Sequence, residues 1–175
     1  MSLLGFLGLG SRSADEGDIE GVRTIVGALK AMEPARARQL AGFAYILSRV
    51  AHVDQRVSPE ETAAIERILA DEGRLSAEQT KLVVDIAKAQ SVLFGGVEDF
   101  LVTREFASRA TLEEKLSLLN CLFAVSSADE SIDVVEDNEI RRISRELHIE
   151  HADYIAARLA HRRHLSVLKG DADEE

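Results

Sequence analysis

The stretch LLNCLFAVSSADESIDVVEDNEIRRISREL, Leu118–Leu147, has a looser copy upstream in AYILSRVAHVDQRVSPEETAAIERIL, Ala44–Leu69. A shift of 75 positions lays Asp54 on Asp129, Val57 on Ile132, Glu61 on Glu136, Ile65 on Ile140, Arg67 on Arg142 and Ile68 on Ile143. Upstream of the acids, Leu47 meets Leu122 and Val50 meets Val125. Each copy reads as a long apolar helix, a short acidic turn and a capped amphipathic helix. A repeated unit of this kind implies an all-α fold made of two similar halves.

Composition agrees. The chain has 175 residues, 46% of them hydrophobic, enough to bury a core. Two prolines and abundant Ala, Leu, Glu and Arg favour helix, and no alternating run of useful length indicates a strand. The net charge of −10 argues against nonspecific nucleic-acid binding, which rests on neutralising phosphates. It suits cations, basic peptides or plain solubility. The single cysteine, Cys121, lies in an apolar helix and reads as a buried thiol. One cysteine forms no internal disulfide, which fits a reducing compartment.

The reading outward from the repeat gives about eight helices. Residues 1–17 form an apolar N-terminal segment and polar linker, 18–168 the helical domain and 169–175 an acidic tail. The opening decapeptide lacks the basic start of a signal peptide and is too short to span a bilayer. It either docks on the body or touches a membrane surface. Helix 1 starts near Asp18. Pro34 opens helix 2, which runs to about Val53 with Leu40, Phe43, Ala44, Leu47, Val50 and Ala51 at helical spacing. Arg36, Arg38 and Arg49 read as solvated or paired surface charges. Ser58-Pro59-Glu60-Glu61 is a capping box opening helix 3, which Gly73 ends, with a positive φ expected there.

Ser76 and Gln79 open helix 4, with Leu82, Val83, Ile86 and Ala87 inward. After Gly95-Gly96 a shorter helix from about Val97 carries Phe100, Leu101 and Phe106. Thr111 and Glu114 open helix 6, apolar nearly all round from Leu116 to Val125, hence central. Asp133 and Glu136 open helix 7, which buries Ile140, Ile143 and Leu147. Helix 8 covers roughly His151 to Leu168. With helices 2 and 6 central, the expected core includes Phe43, Leu47, Ile65, Leu119, Leu122, Phe123 and Ile140.

The two turns collect oxygen ligands of the kind hard cations prefer. The first offers Asp54, Ser58, Glu60 and Glu61, and the second Asp129, Glu130, Ser131, Asp133, Glu136 and Asp137. In the second, Asp129, Ser131, Asp133 and Asp137 fall at positions one, three, five and nine of a calcium loop. Val134 and Ile140 stand where that loop needs its glycine and bidentate glutamate. The competing reading assigns the same carboxylates to helix capping and turn amides. The expected metal ligands are Asp54, Glu61, Asp129, Asp133 and Glu136, with Ca²⁺ or Mg²⁺ as the ion. His148 with His151, and His161 with His164, are pairs without the further ligands that zinc requires. No G-x-S-x-G, phosphate-binding glycine loop or H-E-x-x-H occurs, and no catalytic residue is assigned.

With these residues laid out, the chain resembles the tellurite-resistance TerB family, closest to its stand-alone bacterial members. It is more distantly similar to the TerB-like domain of DnaJ-type co-chaperones. The resemblance rests on RVAHVDQRVSPEETAAIERIL, EEKLSLLNCLFAVSSADESIDVVEDNEIRRISREL and HADYIAARL, and spans about Ile19 to Leu165. Asp54, Glu61, Asp129 and Glu136 match the family's acidic motif positions, whereas its two turn glycines are here Gln55 and Glu130. The resemblance implies a compact all-helical bundle, a link to tellurite and stress responses, and metal sensing at the membrane.

The resulting expectation is a non-enzymatic, acidic interaction module with an unidentified protein partner, no nucleic-acid partner, and a divalent cation at the acidic turns. It would be cytoplasmic or membrane-peripheral. One alternative is a peripheral membrane adaptor held by residues 1–10 through Leu3, Leu4, Phe6 and Leu7. Another is a carboxylate-metal hydrolase.

Overall fold

The computed structural model describes residues 16–51, 59–89, 93, 99–128, 132–162 and 165, apart from the side chains of 16–19, 51, 61, 99 and 100. Among them are eight α-helices: α1 (Glu16–Ala31), α2 (Pro34–Ala51), α3 (Pro59–Asp71), α4 (Ala77–Lys88), α5 (Asp99–Arg109), α6 (Leu112–Ser126), α7 (Val134–Glu146) and α8 (His151–Ala160). A shift of 75 carries the bounds of α3 onto those of α7. The apolar strip 1–10, the acidic tail, Gly95-Gly96 and Ser58 lie outside the described residues.

The helix starts follow local chemistry. Ser76 and Gln79 at α4, Thr111 and Glu114 at α6, and Asp133 and Glu136 at α7 each form a reciprocal capping box. In each, the cap side chain takes one orphan amide of the first turn and the third helical side chain returns to the cap amide. Pro34 and Pro59 open α2 and α3, where a missing N–H costs nothing.

Helices α2 and α6 are the centre. α2 packs against α1, α4, α5, α6 and α7, and α6 packs against α2, α3, α7 and α8. Phe43, Leu47, Ile65, Leu119, Leu122, Phe123 and Ile140 are all buried, as the apolar periodicity requires. Phe43 meets Phe106 of α5 edge to face, with ring centroids 6.4 Å apart. Cys121 is buried, and burial, aided by the nearby Glu72 carboxylate, pushes its thiol up to about 12. It is a packing residue.

Four details differ from the sequence expectation. First, Leu101 is exposed, because the inward face of α5 is taken by Val102, Thr103 and Phe106. Second, Gly73 does not adopt a positive φ; the left-handed residue is Arg74, with φ 51°. Helical hydrogen bonding persists through Gly73, whose N–H donates to Leu69 O at 3.0 Å. The glycine is needed for space: a Cβ there would lie 2.5 Å from Leu69 O and 3.3 Å from Cys121 Sγ.

Third, α8 ends at Ala160 rather than near Leu168. His161 caps it and stacks on Phe123, centroids 5.8 Å apart, and Leu165 forms a parallel β-bridge with Ile132. Both bridge residues are fully buried, so packing of Leu165 beside Ile132 replaces continued helix. Fourth, Arg49 is not a surface charge: its side chain is 4% exposed.

Candidate functional site at the ends of α2 and α7

The last turn of α2 and the first turns of α7 enclose a cleft of about 530 Å³ lined by Arg49, Val50, Val135, Glu136, Asn138, Glu139 and Arg142. Its wall is an ion-pair network. Arg49 Nε donates to Glu139 Oε1 at 2.9 Å, and Nη1 donates to Glu146 Oε2 at 2.8 Å and to Thr103 Oγ1 at 2.7 Å. Arg142 Nε donates to Glu146 Oε1 at 3.0 Å. Burial disfavours the Arg49 charge, but its hydrogen bonds to Glu146 and Glu139 outweigh it and hold the guanidinium above its usual range. The network joins α2 to α5 and α7, so it links the two copies of the repeat. Arg49 and Glu139 have no like partners at the repeat-related positions, which are Ala124 and Ala64, whereas Arg142 and Glu146 match Arg67 and Asp71.

At the start of α7, Asp133 Oδ1 accepts from the Glu136 N–H at 2.8 Å, and Glu136 Oε2 accepts from the Asp133 N–H at 3.0 Å. These bonds are the capping role expected of the pair. Asp137 serves differently from position nine of a calcium loop. Arg158 of α8 grips it with two bonds, Nε to Oδ1 at 3.0 Å and Nη2 to Oδ2 at 2.6 Å. The hydrogen bond to Asp137 raises the Arg158 pKa against the opposing effect of burial. Tyr154, on the same helix, is pushed up by burial and by the Asp137 carboxylate. In the first copy Thr62 replaces Asp137 and accepts from Lys88 Nζ at 2.7 Å, a neutral-acceptor version of the same tie between consecutive helices.

Of the five expected metal ligands, the structure describes the side chains of Asp133 and Glu136. Asp54, Asp129 and the Glu61 side chain lie outside the described residues, as do Glu130 and Ser131. Among the described residues, no group of three or more His, Cys, Asp or Glu side chains is placed to hold a metal ion. Ser126, in the last turn of α6, is buried with a hydroxyl that has no hydrogen-bond partner among the described residues. His161 of the second histidine pair is stacked on Phe123, and His151 lies beside Tyr154.

The two copies of the repeat cross-pack. α2 packs on α7 and α3 on α6, so each central helix meets the amphipathic helix of the other copy. Sequence reasoning missed the Arg49 network. The available signal was an arginine in line with Tyr45 and Ile46 on a buried helix, and Glu139 and Glu146 seven apart on α7.

No helix among the described residues is long and apolar enough to cross a membrane. Comparison with curated proteins and with solved structures gave no match. The family model described as tellurite resistance protein TerB matches residues 23–159, from α1 through α8. With the repeat and the all-helical bundle in agreement with that match, the chain belongs to the tellurite resistance TerB family.

Proposed function

We propose that the chain is a non-enzymatic interaction module whose working surface is the end of the bundle at the α2–α7 cleft, tuned there by a divalent cation. The observation that carries this reading is the cross-packing of α2 on α7 and α3 on α6. The acidic stretch after α2 leads to α3, and the one after α6 leads to α7. Their anchor points thus belong to two mutually packed helix pairs. Carboxylates gathered at one end of a bundle repel, and Ca²⁺ or Mg²⁺ relieves that repulsion while taking oxygen ligands.

Asp54, Glu61 and Asp129 would supply the ligands, with Asp133 and Glu136 at the rim. A carboxylate has about four acceptor sites, so one capping bond does not exhaust Asp133. The Ser126 hydroxyl at the end of α6, without a partner among the described residues, adds a buried oxygen. The net charge of −10 and the exposed Val134 and Val135 suit a basic protein partner with an apolar contact.

The test is a pull-down from lysate with the full chain, with and without EDTA, compared with Asp54→Asn/Asp129→Asn. Partners retained with cation and lost both with EDTA and in the double variant support the proposal. A partner set unaffected by both treatments removes the cation from it.

A further inference from the structure

A second cavity lies at the opposite end of α2, remote in sequence from the acidic turns. It holds about 190 Å³ between the start of α2, the α3–α4 turn and the first turns of α6. Its floor is apolar, with Leu40 and Phe43 buried and Leu75 half-buried. Its rim carries both signs of charge. Arg36 stands 3.8 Å from Glu114, and Arg74 is paired with Glu113. Arg36 also donates to Gln39 at 2.8 Å and to Gln79 at 3.1 Å.

The rim selects a ligand class by elimination. A simple anion on the arginines would meet Glu113 and Glu114, and a simple cation on the glutamates would meet Arg36 and Arg74. A molecule carrying an ammonium and a carboxylate on adjacent atoms satisfies both halves of the rim at once. Of the two pairs, Arg74–Glu113 is exposed and contributes little to stability, so opening it costs little. The Arg74–Glu113 side chains are 70% and 69% exposed. An apolar side chain on such a ligand would cover the floor of Leu40, Phe43 and Leu75. The volume exceeds the roughly 150 Å³ that suffices for benzene in an engineered apolar cavity.

We infer that this cavity binds a free α-amino acid with an apolar side chain, making the module responsive to a small zwitterionic metabolite. The ligand's carboxylate lies toward Arg36 and Arg74, its ammonium toward Glu113 and Glu114, and its side chain on the apolar floor. Arg74 holds a left-handed backbone, φ 51°, in the turn that brings its side chain to the rim.

Isothermal titration calorimetry of the full chain tests this with four probes: L-leucine, glycine, 3-methylbutylamine and 4-methylpentanoate. Leucine should give saturable heat and raise the thermal midpoint. Each of the other three lacks the side chain, the carboxylate or the ammonium, and should bind at least about ten-fold more weakly. Arg74→Gln and Glu113→Gln, both at exposed positions, should each weaken leucine binding about five-fold or more with the circular dichroism spectrum unchanged. No saturable heat with millimolar leucine, equal binding of the amine or the acid, or unaltered affinity in both variants would each overturn the assignment.

Discussion

Arg49 and Glu146 are joined by a 2.8 Å hydrogen bond across 97 positions of sequence, from the last turn of the central helix of one repeat to the last residue of α7 in the other. Their side chains are 4% and 11% exposed, so the charges are shielded from water. Removing one member of a buried pair leaves the other charge uncompensated. Glu146→Ala should therefore destabilise the protein by on the order of 3 kcal/mol in urea denaturation, toward the low end for such pairs because Glu139 still holds Arg49. Arg49→Met should cost less than Glu146→Ala, since Arg142 still reaches Glu146 at 3.0 Å. The reverse order would show that the two carboxylates left by Arg49, Glu139 and Glu146, cost more than the single partner lost with Glu146.

Leu122 is fully buried in the central helix α6. Leu122→Ala removes its methyl groups from a site walled by several helices, where little collapse can fill the cavity. The expected loss is roughly 2–5 kcal/mol, read from the denaturation midpoint. An unchanged midpoint would mean that the bundle is not centred on α6.

His148 ends α7 in the left-handed region, with φ 56°. Its N–H donates to Arg145 O and the Ile149 N–H to Ser144 O, both at 3.0 Å, which is the Schellman arrangement that ordinarily uses glycine. The left-handed backbone costs an L-residue about 1–2 kcal/mol, and the greater freedom of unfolded glycine offsets part of the gain. His148→Gly should thus raise stability by about 0.5–1 kcal/mol. A lower thermal midpoint would show that the imidazole makes a contact worth more than the strain.

Asp85 lies in the last turn of α4, where the helix dipole disfavours an anion. Burial raises its pKa above 3.8, and the neighbouring Lys81 and Lys88 only partly oppose that shift. A raised carboxyl pKa means the folded state prefers the protonated form. The penalty is absent well below pH 3.8, enters as pH rises through the folded pKa, and is complete above it. Asp85→Asn should therefore raise the thermal midpoint near neutrality, and the advantage should vanish at about pH 3. A variant less stable than the parent at neutral pH would reverse the sign and make the two lysines the dominant influence.

Much of the fold was legible because capping and periodicity are local. The boxes at Ser76, Thr111 and Asp133 mark helix starts through side chains within three residues of the amides they satisfy. The burial of Leu47 and Leu122 follows from apolar spacing alone. Long-range pairing was not legible. The line of Arg49 with Tyr45 and Ile46 hints at burial, but nothing near it in sequence says that Glu139 and Glu146 will surround it, and arginine is ordinarily a surface residue. The bidentate grip of Arg158 on Asp137 has the same origin: the α7–α8 packing decides it, and calcium-loop arithmetic on one segment cannot. The end of α8 was missed because Leu165 pairs with Ile132, a contact outside any local propensity. At the acidic turns, residue types suggested a cation; of the five expected ligands Asp133 and Glu136 have described side chains, and those form a cap.

The most direct test of a cation-tuned module is calorimetric titration of the full chain with Ca²⁺, Mg²⁺, Mn²⁺ and Zn²⁺, paired with thermal unfolding in each ion. The account predicts saturable heat with Ca²⁺ or Mg²⁺, a rise in thermal midpoint that grows with ion concentration, and loss of both in Asp54→Asn/Asp129→Asn. No heat and no shift at millimolar ion would contradict it, and would leave capping, turn amides and solvation as the work of these carboxylates.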